Sequence, residues 1–249
     1  CNESKIKPLE KLYFPNSIGL LYEAFTQFIG FKKYGEEYKM MGLSSLGEPK
    51  YKNLIKKNLF NNFEKFELNL YYFNHHQKNY TYNFFGEPNQ SEIFNNNIFH
   101  LFKHEINSKT FKEDVASSIQ IIFEDLLELI IKKCNKINFS KNLVYAGGCA
   151  LNSLANKKIF EKNYFQDVFI PYAPGDGGGS IGSSLFFLSK KNNDFNSDNL
   201  QNPYIGSKFS ENVIEKIINR KKLDQFYNVK LYKDKTNLYK ILAKQIKRK

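Results

Sequence analysis

Residues 142–186, NLVYAGGCALNSLANKKIFEKNYFQDVFIPYAPGDGGGSIGSSLF, constrain this chain most. They read as strand, glycine turn, helix, strand, glycine loop, helix. The apolar run from Asn142 to Tyr145 stops at Gly147 and Gly148, and a helical segment follows from Leu151 to about Lys162. Val168 to Tyr172 is a second short strand, broken by Pro174-Gly175-Asp176-Gly177-Gly178-Gly179 before a helix from Ile181 to Leu188. Two parallel strands, each opening through glycines into a helix, place two helix N-termini on one rim of a sheet. Unpaired amides and the helix dipole make such a rim attractive to anions. Ligands of open α/β sheets bind at the carboxyl ends of the strands, where these turns lie. The residues alone therefore predict an α/β fold with a phosphate or nucleotide site at Gly147, Gly148 and the loop around Asp176.

The chain has 249 residues and a formal net charge of +12, which invites a nucleic-acid reading. Of its 37 basic residues, however, only Arg220 and Arg248 are arginine. Bidentate contacts to phosphate and to base edges favour arginine, so the lysine excess argues for compositional bias, not for a nucleic-acid partner. Three cysteines without a C-x-x-C pair suggest a reduced, cytoplasmic protein with no disulfide frame. No apolar stretch approaches the roughly 20 residues of a membrane span. The best candidate, Ile119 to Ile131, carries Glu124, Asp125 and Glu128. A start at Cys1 and a finish on Lys247-Arg248-Lys249 in a helical pattern give the look of a piece of something longer.

Residues 15–29 predict a helix, with Ser17 as N-cap and Gly30 as terminator. Residues 50–100 are rich in lysine, asparagine and aromatics; Phe66 to Phe73 is a candidate hairpin, and the whole stretch reads as a variable insertion. Thr110 and Glu113 have the spacing of a capping box, opening a helix to about Lys133 with Val115, Ile119, Ile122, Leu126 and Leu129 on one face. The Asn/Asp-rich stretch 191–199 is a linker by composition, with a domain junction near residue 200. Beyond it, Asn212 to Ile218 and Leu238 to Ile246 are helical in pattern.

Gly177-Gly178-Gly179-Ser180-Ile181-Gly182 fits G-x-G-x-x-G, but Pro171 and Pro174 separate it from the strand and no acid ends a following strand, which disfavours a dinucleotide fold. No Walker A lysine motif is present. Asp176, the one carboxylate of the loop, is either a helix N-cap or a ligand for a cation beside phosphate. Cys149 has no histidine nearby in sequence and reads as a small apolar turn residue. His75-His76 lacks a partner at metal-ligand spacing, and the His100/His104 pair reads as structural. Lys39 is a further candidate phosphate contact.

Several phrases together resemble one family. EYKMMGLSSLGEP at 37–49 is similar to the EYKVMGLAPYGEP phrase of the large O-carbamoyltransferases of antibiotic and nodulation-factor biosynthesis. PNSIGLLYEAFTQFIGF at 15–31 resembles their P-x-S-L-G-x-L-Y-x-x-x-T helix, and DVASSIQIIFEDLL at 114–127 their A-x-S-x-Q helix. YAGGCALNSLANKKI at 145–159 and FIPYAPGDGGGSIGSSL at 169–185 are the most specific matches, and NPYIGSKFS at 202–210 resembles the opening of their second domain.

The resemblance implies the second subdomain of an actin-like/sugar-kinase (ribonuclease H-like) fold over residues 1–200. Residues 201–249 would begin a following α/β domain that makes carbamoyladenylate. It implies ATP, carbamoyl phosphate, a hydroxylated small-molecule acceptor and a divalent metal of iron type, or magnesium. By motif position, Gly147, Gly148, Gly175, Gly178 and Lys39 would hold the nucleotide, Asn152 would hydrogen-bond it, and Asp176 would ligate the metal. Leu46 replaces the usual tyrosine and Gly177 the common second aspartate. The family's histidine metal motif and its later FGPRALG segment are not in this sequence, so this piece alone is expected to be inactive. A kinase-type phosphotransferase and a non-catalytic nucleotide-binding remnant are the alternative readings.

Overall fold

A computed structural model describes residues 7–77, 82–83, 89–103, 105–137, 140–191, 203–204 and 206–247. The chain divides into two compact units, Cys1–Phe195 and Asn196–Lys249. The first is a helix-rich α/β body built around one long helix.

Helix α1 (Ile18–Phe28) starts where the sequence places it, with the Ser17 hydroxyl accepting the Leu20 amide at 3.3 Å. The chain leaves it through Gly30 at φ +110°, a conformation that side chains resist. Next come α2 (Glu37–Leu43), a 3-10 turn (Ser44–Leu46) and α3 (Lys52–Asn58). Strand β1 (Phe60–Asn62) pairs antiparallel with β2 (Glu67–Leu68), and β3 (Tyr82–Asn83) with β4 (Asn89–Gln90). The hairpin is therefore offset from the expected Phe66 to Phe73, because Leu70–Tyr72 winds into a 3-10 turn capped by the Asn69 side chain. After the short α4 (Asn97–Leu101) comes α5 (Phe111–Ile137), the organising helix.

Helices α1, α2 and α3 and the Ser44–Leu46 turn all pack on α5. It buries Val115, Ile119, Ile122 and Leu126 on the expected face, and also Ala116, Phe123 and Leu127, so it is covered over a wide arc. The stretch 50–100 is not a separable insertion. Tyr51, Ile55, Leu59, Phe66, Phe73, Ile93, Phe94 and Ile98 are all buried in the same cluster as Phe25 and Phe111. Phe28 meets Phe94, Phe99, Phe102 and Phe111 with ring centroids 5.1–6.1 Å apart. Each aromatic pair adds about 0.5–1.5 kcal/mol, less than the roughly 1.5–3 kcal/mol from burying one such ring, so burial decides. The capping box is not formed either. The Thr110 hydroxyl donates to the Asp114 carboxylate at 2.8 Å, where the sequence suggested Glu113 as partner.

His75 is 5% exposed, among the rings of Phe14 and Phe73. Its Nε2 lies 2.9 Å from the Pro15 carbonyl, a bond the neutral ring makes as donor. Burial pushes its pKa below the ordinary histidine value of about 6.5. Below that pH the unfolded chain binds a proton that the folded one refuses, so stability falls as pH drops through about 6.5 and levels off below the folded value. Urea unfolding from pH 7.5 down to about 5 is expected to show this slope and to lose it in His75→Gln.

Strand β5 (Asn142–Val144) pairs in parallel with β6 (Asp167–Phe169), in register Asn142 to Asp167 and Val144 to Phe169. Between them runs α6 (Ser153–Glu161), which packs on α5. The second strand stops short of the expected Tyr172, since Pro171 has no amide for the ladder. Helix α7 (Gly179–Lys191) follows, with Phe186 and Phe187 exposed. In the second unit the described residues form α8 (Glu211–Arg220), a 3-10 turn (Leu223–Gln225) and α9 (Lys235–Lys247), with no strand. Among the described residues no helix is long and apolar enough to cross a membrane.

Candidate functional site

The strand ladder continues past its ends and brings the two glycine turns together. The Tyr145 amide donates to the Phe169 carbonyl at 3.0 Å, and the Gly147 amide to the Pro174 carbonyl at 2.8 Å. A side chain at Gly175 would meet Leu151 Cδ1 at 3.5 Å, a second contact between the turns. Both turns thus lie on the same rim of the parallel pair, at the carboxyl ends of its strands.

Each then winds into a 3-10 turn, Gly148–Leu151 and Asp176–Gly178, ahead of α6 and α7. The Gly147 amide, expected to be open, is spent on Pro174. Gly148 and Cys149 on one turn, and Asp176 and Gly177 on the other, keep amides with no acceptor among the described residues. Four open donors on one rim suit an anion. The glycines serve different ends. Gly147 sits at φ +109°, while a Cβ at Gly178 would lie 2.1 Å from the Ala173 carbonyl oxygen. Gly148 and Gly177 have nothing within 4 Å of a would-be Cβ, so their backbone is bare to approach.

Asp176 is exposed, and its carboxylate has no partner among the described residues, so it does not act as the N-cap that spacing allowed. It offers one hard oxygen of the kind divalent cations take. No group of three or more His, Cys, Asp or Glu is placed to hold a metal among the described residues. These residues alone therefore do not complete a cation site. His75 and His76 lie in the aromatic core region; His104 falls outside the described residues. Cys149 is half-buried beside Gly19, and burial pushes its thiol up, which makes it a poor nucleophile. Lys39 pairs with Glu36 and lies over the rings of Phe31 and Tyr38, on a helix whose Met41 sulfur takes the Ser153 hydroxyl at 3.7 Å.

Asn152 faces inward. It is 8% exposed and caps α6, its Oδ1 accepting the Ala155 amide at 3.0 Å. It also exchanges two hydrogen bonds with Gln120 of α5, at 2.9 and 3.0 Å. Tyr22 of α1 donates to Gln120 Oε1 at 2.8 Å, and burial pushes its hydroxyl well above the ordinary tyrosine range. Residue-by-residue reading of the turn missed Gln120 and Tyr22. Their only signal was that both fall in phrases that resemble the carbamoyltransferases.

Fold and rim define a class: an α/β protein whose paired glycine turns present backbone donors at the carboxyl ends of parallel strands. The chain belongs to the family described as carbamoyltransferase N-terminus, which it matches over residues 2–185. An uncharacterized protein of Synechocystis sp. is 33% identical over 224 residues, 85% of this chain and 34% of its own length. Nodulation protein NolNO of Sinorhizobium fredii is 25% identical over 218 residues, 82% of this chain and 27% of its own length. Nodulation protein U of Bradyrhizobium diazoefficiens is 33% identical over 76 residues, 29% of this chain and 13% of its own length. The chain thus spans about a third or less of these relatives.

Proposed function

We propose that this chain is the nucleotide-holding part of an ATP-dependent O-carbamoyltransferase, within the second subdomain of an actin-like fold. Carbamoyl phosphate is the carbamoyl source, activated as carbamoyladenylate, and the group passes to a hydroxyl of a small-molecule acceptor. The observation that carries the reading is the meeting of the two glycine turns through Gly147 and Pro174, which sets two turns with open amides side by side.

In this reading the Gly148 and Cys149 amides and those of Asp176 and Gly177 take the phosphate of the nucleotide, with Gly175 and Gly178 shaping the second turn. Fixed donors of this kind stabilise phosphate charge without reorganising. Acyl transfer from a mixed anhydride to a hydroxyl needs the carbonyl polarised and water excluded, and needs no protein nucleophile. That agrees with a poorly reactive Cys149. Asp176 is the carboxylate to hold one coordination position of a divalent cation, of iron type or magnesium, which would supply Lewis-acid polarisation when bound.

The test uses the full-length protein with ATP, carbamoyl phosphate and a hydroxylated acceptor. Asp176→Ala is expected to lower turnover at least about tenfold and to weaken divalent-cation binding measured by calorimetry, with an unchanged melting temperature because the side chain is exposed and unpartnered. Wild-type turnover and cation binding would remove Asp176 from the mechanism. Transfer of the γ-phosphate without any need for carbamoyl phosphate would replace this reading with a kinase.

A further inference from the structure

Building on the reading of the glycine turns as the nucleotide-holding element, we propose that Gln120 is a positioning residue, through which α5 sets the Gly148–Asn152 turn by gripping the Asn152 amide. Gln120 is 3% exposed and lies 32 residues from its partner. The two amides meet head to tail: Gln120 Nε2 donates to Asn152 Oδ1 at 3.0 Å, and Asn152 Nδ2 to Gln120 Oε1 at 2.9 Å.

A pair of amides alone has no polarity, since both can flip and exchange the same two bonds. Here both ends are locked. Gln120 Nε2 also donates to Glu124 Oε1 at 3.0 Å, and an ionised carboxylate only accepts. Asn152 Oδ1 also takes the Ala155 amide at 3.0 Å, and a backbone N–H only donates. Glu124 Oε2 pairs at 3.1 Å with Nζ of Lys158, a residue of the very helix that Asn152 caps. The path closes on itself: α5, Asn152, α6, Lys158, Glu124 and back to α5. The Tyr22 hydroxyl adds a donor to Gln120 Oε1.

Asn152 stands where the 3-10 turn stops and α6 begins. Its own amide donates back to the Cys149 carbonyl at 3.2 Å, and Asn156 Nδ2 reaches the Ala150 carbonyl at 2.7 Å. The direction of the Gly148 and Cys149 amides is therefore tied to that of the Asn152 side chain. Without the Gln120 amide, a buried Asn152 N–H loses its acceptor and the side chain is free to turn toward water, taking the turn with it. The network acts as one unit, so its members should not add.

The experiment measures ATP affinity by calorimetry, turnover and melting temperature in the full-length protein. Gln120→Met keeps the volume and removes the amide. It is expected to weaken ATP binding about tenfold, as is Asn152→Ala, and the double variant should be no weaker than the worse single. Ser118→Ala is the structural control: Ser118 also lies on α5, but binds the Tyr51 amide at 2.9 Å and the Asp114 carbonyl at 2.6 Å, away from the turn. It should lower the melting temperature and leave ATP affinity alone. Tyr22→Phe, which removes one hydroxyl, serves if Gln120→Met does not fold, with a weakening of about threefold. Gly148→Val covers the open amides without touching the network. If it binds ATP as the wild type does, the nucleotide reading fails and this proposal with it. If Gly148→Val weakens binding while Gln120→Met and Tyr22→Phe do not, or the double variant is simply additive, the reading stands and the role of Gln120 is overturned.

Discussion

Gly47→Ala is expected to destabilise the first unit by about 3 kcal/mol or more, an unusually large cost for one methyl group. The cause is space, not backbone freedom. Gly47 has φ −110° and ψ 174°, which any residue adopts. A Cβ there, however, would lie 2.1 Å from both the carbonyl carbon and the oxygen of Glu113, and 2.6 Å from the Asp114 nitrogen. Those are backbone atoms in the first turn of α5, and no rotamer change moves them. The loop cannot slide off either, because Glu48 and Tyr51 on its far side are bonded to Asp114 and Ser118 of the same helix. Alanine must therefore pull the loop and the helix start apart. Gly42→Ala is the matched control. It lies inside α2 with nothing within 4 Å, so helix propensity alone predicts a gain of up to about 1 kcal/mol. Urea unfolding of the two variants should give opposite signs. Equal, small effects would mean that the loop is not held against α5 as described.

What the sequence made legible was what neighbours in the chain decide. Ser17 capping α1, the parallel strands and the two glycine turns all follow from spacing over a few residues, and the structure has them. What it hid depends on partners far along the chain. Thr110 and Glu113 have capping-box spacing, yet Thr110 bonds Asp114, because the loop 64–66 residues upstream needs that carboxylate at the helix start. The resemblance implies that Asn152 hydrogen-bonds the nucleotide, and nothing in the sequence around it records that its amide is also bonded to Gln120, 32 residues away. The Phe- and Asn-rich stretch 50–100 reads as a biased, variable insertion; the rings of Phe66, Phe73 and Phe94 are buried through long-range packing. Helix α2 starts without a side-chain cap and so gave no start signal. What makes Gly47 irreplaceable is the start of α5 lying across from it, which no local pattern records.

The second large effect falls on the same junction. Asp114→Ala is expected to cost about 3 kcal/mol at pH 7, because Asp114 is 2% exposed and accepts three hydrogen bonds. Its Oδ1 takes the Glu48 amide at 2.9 Å; its Oδ2 takes Lys50 Nζ and the Thr110 hydroxyl, each at 2.8 Å. Burial alone would raise its pKa, but the bonds from Lys50, Glu48 and Thr110 outweigh it and hold the carboxyl below the ordinary range. The sign follows. A folded pKa below the unfolded value of about 3.9 gives stability that is present above that pH and is lost as pH falls through the folded value. The gap between wild type and Asp114→Ala should therefore be widest near neutral pH and narrow below about pH 4. Lys50 is half exposed, so Lys50→Met should do much less than removing the carboxylate: the loss comes from stranding the Glu48 amide and Thr110, not from breaking an ion pair. Unfolding curves at neutral and acid pH for the three proteins separate these causes. If Lys50→Met matched Asp114→Ala at pH 7, the ion pair would be the anchor and the backbone bond to Glu48 incidental.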